Sequence, residues 1–267
     1  MSKTQRLKAD DLVQIYRLIG ECRDLGRDAA GWRIHLLTAL LRNLGAMVGT
    51  SAQFHDALSE CPRPVGDVDI GWLDPKDREY RQRHLEECGF STDPHWERMA
   101  DLFRAGPSLL ATDRAQMVSD REWYRSAHFN EFRRPTRSDS SLYFGYTATD
   151  AGPDVILAFA LTRTLKDRKF TARERQYCYW LLHELRPLVG RQLAAPGEAR
   201  ISDLSPRLQQ TLQCLMEGDS EKQAAVRLGL SKATVHEYVT ALYRRFGVNS
   251  RAELLVHWGR QGFDRVE

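Results

Sequence analysis

Between residues 232 and 246 the chain reads KATVHEYVTALYRRF, and its side chains repeat with a helical period. Val235, Val239, Leu242 and Phe246 recur at spacings of 4, 3 and 4, which puts them on one face of an α-helix. Ala233, His236, Glu237, Thr240, Ala241 and Arg244 fall on the opposite face. These types can read hydrogen-bond patterns. His236 donates or accepts, Glu237 accepts as from a cytosine amine, and Thr240 bonds or touches a thymine methyl. Lys222, Lys232, Arg244 and Arg245 suit phosphate oxygens, and the helix N-terminus near Thr234 can offer backbone N–H groups to another. Taken alone, the same face is also that of an ordinary solvated helix.

Other chemistry-bearing residues are scattered. His84 and Cys88 are four apart on an expected helix, but two ligands make no metal site, and a surface histidine beside a buried thiol is the better reading. The five cysteines are odd in number and none forms a C-x-x-C pair, so reduced thiols are expected. No P-loop, dinucleotide fingerprint, nucleophile elbow or H-E-x-x-H stretch is present. No acidic pair at a strand end is followed by the later Asp and Lys of a phosphoacceptor domain. The expectation is therefore no catalytic residue, no metal and no cofactor.

The elements that position the groove-like face are punctuated at every end. Residues 204–255 read as four short helices. Ser205 caps the first, with Pro206 at its first position, and Gly218 ends it. Ser220 with Gln223 forms a capping box for the second, which stops at Gly229. Ser231 caps the third, Gly247 stops it, and Ser250 with Glu253 caps the fourth. The second and third helices, joined by a tight turn, form a helix-turn-helix, in which the second of the pair enters a major groove.

This stretch resembles the LuxR-type (GerE-type) DNA-binding domain. Leu204-Ser205-Pro206-Arg207, Gly218, Lys222, Ala225, Leu228-Gly229-Leu230-Ser231, Thr234-Val235, Val239, Leu242, Gly247-Val248 and Ser250-Arg251 follow that family's pattern without a gap. Leu208 departs from it, standing where a cap-returning Glu is usual, and His236 and Glu237 are unusual types for their places. The resemblance implies base contacts from His236, Glu237 and Thr240. It implies phosphate contacts from Lys222, Lys232, Thr234, Arg244 and Arg245. On the fourth helix it implies a dimer contact, assigned here to Leu254 and Trp258.

Residues 194–203, AAPGEARISD, read as a linker. Residues 1–193 hold 20 of the 25 aromatics. Leu12, Ile15, Tyr16 and Ile19 form one helical stripe, and Trp32, Leu36, Leu37, Leu40, Leu41, Leu44 and Val48 a second. Val68, Ile70 and Trp72 alternate as on a strand. Alternation over 142–149 and 155–163 predicts an antiparallel hairpin. Helices are expected over about 75–88 and 94–104, and a last one from 172 to about 193. Thr171 and Glu174 form its capping box, and Pro187 kinks or breaks it.

The fold class is thus α+β: an N-terminal antiparallel sheet with packed helices, and a C-terminal four-helix domain over 204–267. Element order and the phrase REWYRSAHFNEFRRP at 121–135 resemble GAF/PAS-like sensory modules. Trp72, Tyr80, Asp93, Pro94 and Trp96 are similar in type, though not in spacing, to the pocket of acyl-homoserine-lactone sensors. They are expected to be core residues.

With 42% apolar and 28% charged residues the composition is globular. The net charge of +3, and nine Lys or Arg against eight Asp or Glu over 201–267, predict modest non-specific DNA affinity and weight on dimerisation. No apolar run follows the first residues, and none is long enough to span a membrane, so a cytoplasmic protein is expected. The expected partners are double-stranded promoter DNA, a second copy of the chain, and an unknown small-molecule or protein signal, with RNA polymerase a further candidate. The alternative is a protein-interaction module that dimerises with or sequesters another regulator.

Overall fold

The structure, a computed structural model, describes residues 6–59, 62–88, 93–106, 108–152, 154–196, 204–246, 248 and 250–260; the side chains of 87, 88, 150, 244, 245 and 256–260 are outside that description. The chain divides into two compact units, Met1–Pro196 and Gly197–Glu267.

The first unit opens with α1 (Ala9–Asp24) and α2 (Ala29–Leu44), then strands β1 (Val48–His55) and β2 (Arg63–Ile70). Helices α3 (Pro75–Cys88) and α4 (Pro94–Arg104) follow, then β3 (Leu109–Asp113), α5 (Arg114–Met117) and α6 (Asp120–Arg125). A π-helical turn over Phe129–Arg133 leads into β4 (Ser138–Thr147) and β5 (Ile156–Thr164), and α7 (Ala172–Leu185) closes the unit. The five strands form one antiparallel sheet in the order β2-β1-β5-β4-β3.

Residue size is sorted between the two faces of this sheet. Leu142 pairs with Leu161, Phe144 with Phe159 and Tyr146 with Leu157, so alternation sends all six large side chains to one side. Phe144 and Phe159 stack there at 5.2 Å. That face is sealed by the buried residues of α1, α2 and α7. The other face carries Ala52, Ala158 and Gly145 in one row and Thr50, Ala160 and Tyr143 in the next. Small residues in the middle of a sheet leave room above it.

Several sequence expectations shift by a turn or a face. On α1 the buried stripe is Ile15, Leu18, Ile19 and Cys22, whereas Leu12 and Tyr16 are exposed. The α2 stripe ends at Leu44, because Gly45 takes the left-handed conformation (φ +64°), and Val48 belongs to β1. Residue 72 lies beyond β2, and β1 and β3 were not expected at all. The last helix stops at Leu185, with Pro187 inside a short 3-10 turn over Arg186–Leu188. The Thr171–Glu174 capping box is formed. The segment placed in the linker begins inside the first unit: the Ala194 carbonyl accepts from Trp32 Nε1 at 2.9 Å, and its amide donates to Gly26. Gly26 is required there, since a Cβ would meet the Gln192 carbonyl at 2.0 Å. Residues 197–203 lie outside the described residues.

In the second unit the described residues form α8 (Pro206–Met216), α9 (Glu221–Leu228), α10 (Lys232–Phe246) and α11 (Arg251–Arg260). Leu212, Leu215, Ala224, Ala225, Val235, Val239, Leu242, Phe246 and Leu254 make its core.

Candidate functional site

The turn of the helix-turn-helix is built locally. Gly229 ends α9 in the left-handed region (φ +65°), and the Leu230 amide returns to the Ala225 carbonyl at 2.9 Å. Two residues later Ser231 starts α10, its Oγ accepting from the Thr234 amide at 3.1 Å. Ser220 and Gln223 form the reciprocal cap of α9. Ser205 caps α8 from one side only, accepting from the Leu208 amide, with leucine at the position from which a carboxylate could reply. Arg251 at the head of α11 donates to the Leu215 and Asp219 carbonyls, each at 2.7 Å, and so closes the end of α8. Val235, Val239, Leu242 and Phe246 are all buried, as their period requires.

The polar face of α10 is thereby turned outward. Lys232, His236, Glu237 and Thr240 are exposed, as is Lys222 on α9. Two of these groups already have partners. His236 Nδ1 lies 3.2 Å from Glu221 Oε2, and Thr240 Oγ1 donates to the His236 carbonyl at 2.9 Å. The Thr234 amide is taken by Ser231, so that N–H is not free for a phosphate while the cap holds. The Arg244, Arg245 and Trp258 side chains, and Gly247, lie outside the described residues. Leu254, assigned to a dimer contact, is 1% exposed and packs into the domain's own core; its neighbour Leu255 is exposed.

The first unit carries a feature that local reading missed. Over the small-residue face of the sheet lies a cavity of about 140 Å³. Its apolar wall includes Phe54, Trp72, Leu85, Trp96, Met99 and Phe132. Trp72, Asp93 and Trp96, expected as core residues, therefore line a cavity. Tyr80 does not line it; its ring stacks against Phe132 at 6.2 Å and its hydroxyl donates to the Glu131 carbonyl.

One part of the polar wall is a network drawn from four elements, and Asp67 of β2 with Arg81 and His84 of α3 line the cavity as well. Asp93 caps α4, accepting from the His95 amide at 2.9 Å, and also holds His95 Nδ1 at 2.7 Å. Burial alone would raise the Asp93 carboxyl, but His95, His128 and Arg133 around it hold it well below the usual range. Arg133, on the π-helical turn, donates Nε–H to His128 Nε2 at 3.1 Å and Nη2–H to the Tyr143 hydroxyl at 3.1 Å. Its Nη1 reaches Ser141 Oγ at 3.3 Å and Thr162 Oγ1 at 3.5 Å. Burial pushes His128 down to about 3, against the pull of Asp93, and pushes Tyr143 up to about 12. Among the described residues, His95 Nε2 and His128 Nδ1, both buried, have no hydrogen-bond partner.

The phrase at 121–135 contributes one part of this wall and the layer behind it. Trp123, fully buried, donates Nε1–H to Asp139 at 2.8 Å and lies 4.5 Å from His95 and 5.7 Å from His128, centroid to centroid. His128, Phe132 and Arg133 then line the cavity itself. That phrase was the one available signal. Its pairing with Asp93, His95 and Tyr143 has no local trace. Among the described residues no group of three or more His, Cys, Asp or Glu could hold a metal ion.

Residues 202–258 match the family model of the bacterial regulatory proteins, luxR family, and the C-terminal unit carries that domain. No curated protein matches the chain. Among solved structures, SdiA in complex with octanoyl-rac-glycerol is 11% identical, with 100% of each chain covered and a TM-score of 0.45. A crystal structure of Escherichia coli SdiA is 11% identical over 87% of this chain and 90% of that one, at a TM-score of 0.38. The VqsR LBD domain from Pseudomonas aeruginosa is 13% identical over 67% of this chain and 88% of that chain, at a TM-score of 0.42.

Proposed function

We propose that the protein is a sequence-specific DNA-binding transcriptional regulator whose N-terminal unit senses a small molecule held in the cavity. The observation that carries the DNA-binding half is the luxR-family match, which falls on a helix-turn-helix whose second helix turns its polar face to solvent. The observation that supports the sensing half is an aromatic-lined cavity whose polar wall holds Asp93, His95, His128 and Arg133. Kinship with GAF/PAS-like sensory modules is part of this proposal, supported by an antiparallel sheet with helices packed on it. So are a homodimer on promoter DNA, contact with RNA polymerase and a cytoplasmic location. No helix among the described residues is long and apolar enough to cross a membrane. The reading assigns the chain no catalytic activity.

On this reading His236, Glu237 and Thr240 read bases, and Lys222, Lys232, Arg244 and Arg245 meet phosphates. Glu237 carries no positive charge and gains little from phosphate, so its contribution is discrimination. Binding selection from random duplex DNA tests this, run on the parent, Glu237→Ala and Lys232→Ala at two salt concentrations. Glu237→Ala relaxes preference at one or two base pairs, by about 1–3 kcal/mol per lost contact. Lys232→Ala weakens every sequence alike and lowers the log–log salt slope by about one. Enrichment of no motif by the parent protein defeats the proposal in favour of a protein-interaction module.

A further inference from the structure

Resting on the reading of α10 as the helix that reads bases, we propose that Glu221, on α9, is a positioning residue for base recognition. It holds the His236 ring so that Nε2 is the atom presented to one base pair, and so sets the preference at that pair.

The contact is built from both halves of the helix-turn-helix. Glu221 is the first residue of α9, and the reciprocal cap of Ser220 and Gln223 fixes the backbone on which it stands. His236 follows Val235 and comes three residues before Val239, both buried, so the core beneath it fixes its place on α10. Between the two helices His236 Nδ1 lies 3.2 Å from Glu221 Oε2 and 3.4 Å from Oε1. A carboxylate only accepts, so Nδ1 carries a proton whether the ring is neutral or charged. Nε2 is the nitrogen left for a base in both cases. With the ring neutral it accepts from the amino group of adenine or cytosine, and with the ring charged it donates to guanine.

Electrostatics separates this role from a general contribution to affinity. Lys222, the next residue, is read as a phosphate contact, and a carboxylate beside it is repelled by any DNA. Glu221 therefore weakens binding to every sequence alike, and what it supplies is orientation. The His236 side chain is 68% exposed, and a ring so placed loses rotamer freedom when it meets a base. Held by Glu221, it has lost that freedom before DNA arrives. An ion pair this exposed adds little to stability, so its removal leaves the domain folded.

The test uses the full-length protein. Random duplex DNA is selected with the parent and with His236→Ala, and the base pair at which His236→Ala relaxes preference marks the one that His236 reads. Dissociation constants for the preferred duplex and for the three alternatives at that pair are then measured by fluorescence anisotropy. Glu221→Ala lowers discrimination at that pair about tenfold, while its affinity for the three alternatives rises about twofold. Glu221→Gln removes the same charge but keeps an oxygen that accepts from Nδ1. It tightens binding to all four duplexes about twofold and keeps discrimination within about threefold of the parent's. Adding Glu221→Ala to His236→Ala lowers discrimination no further, because the two residues act as one. Glu221→Ser, also too short to reach the ring, takes the place of Glu221→Ala if that variant does not fold. Discrimination in Glu221→Ala equal to the parent's overturns the assignment and leaves His236 a reader of bases. Equal losses in Glu221→Gln and Glu221→Ala trace the effect to charge and overturn positioning. A motif unchanged in His236→Ala overturns the proposal with DNA recognition intact. Enrichment of no motif by the parent defeats the DNA-binding reading itself, and this proposal with it.

Discussion

The two units keep their chemistry in opposite places. Unit one buries Asp11, Arg33, His95, Asp113, Arg114, His128, Arg133, Asp139, Arg163 and Glu174; in unit two the buried polar side chain among the described residues is Thr211. The residues of unit two with candidate roles, Lys222, Lys232, His236, Glu237 and Thr240, are exposed. A surface that meets a polymer from outside can rest on an apolar core. A chamber that takes a molecule inside must bring polar groups indoors and satisfy each of them, which ties its stability to charge. The difference predicts that unit one is the fragile one, and that its weak points are ionic.

The sharpest test is Arg163. Its guanidinium is buried over the Phe170 ring at 3.9 Å. It donates to Glu174 at 2.7 Å, to Gly45, Arg168 and Lys169 carbonyls at 3.1–3.2 Å, and to the Leu44 carbonyl. Arg163→Ala leaves the Glu174 carboxylate facing fewer cations and strands those carbonyls, a loss of about 4 kcal/mol. Urea unfolding followed by tryptophan fluorescence measures it, because five of the six tryptophans lie in unit one. A loss below about 1 kcal/mol removes the claim that ionic burial holds this unit.

Acid sharpens the same contrast. Burial would raise Glu174, but Arg168, the Thr171 amide and Arg163 hold it at about 2, against 4.5 for the free residue. A carboxyl lowered by folding adds stability that is complete above pH 4.5 and is lost as the pH falls towards 2. The shift corresponds to about 3 kcal/mol. His128 acts higher: held at about 3 by burial, it stays neutral in the fold while the unfolded chain takes up a proton below pH 6.5. Unit one therefore weakens from pH 6.5 downward, while the helical dichroism of unit two persists. The urea midpoint of Glu174→Gln falls below the parent's at pH 7 and converges with it near pH 2.

The smallest effect probes the turn of unit two. Gly229 sits at φ +65°, and an added Cβ there meets nothing within 4 Å. Gly229→Ala therefore costs only the left-handed backbone, about 1 kcal/mol. A fall of a few degrees in the melting of the helical signal, with the tryptophan transition unmoved, is the expected result. An unchanged midpoint means that the turn is not left-handed there.

These contrasts explain what local reading reached. The caps at Ser220, Ser231 and Thr171, the stop at Gly229 and the buried period of α10 are decided by residues within one or two turns of each other. They appear in the structure as expected. The 142–163 hairpin is likewise local, since alternation and a short connection set its register. Groups meeting across long stretches of chain were out of reach. His95 from α4, His128 and Arg133 from the 121–135 phrase, Tyr143 from β4 and Thr162 from β5 are brought together by the sheet order and by the helical segments packed on the sheet.

The amino-acid sequence by itself determined the helix-turn-helix, its outward polar face, and the helical and strand segments that flank the cavity, because propensity, capping and period act over a few residues. Only the tertiary structure decided which face of α1 is buried, that Leu254 belongs to a core, and that Trp72, Asp93 and Trp96 line a cavity. Those outcomes depend on which partner covers each face. In this chain β4 and β5 send Leu142, Phe144, Tyr146, Leu157, Phe159 and Leu161 to one side, and space remains on the other over Ala52, Gly145, Ala158 and Ala160.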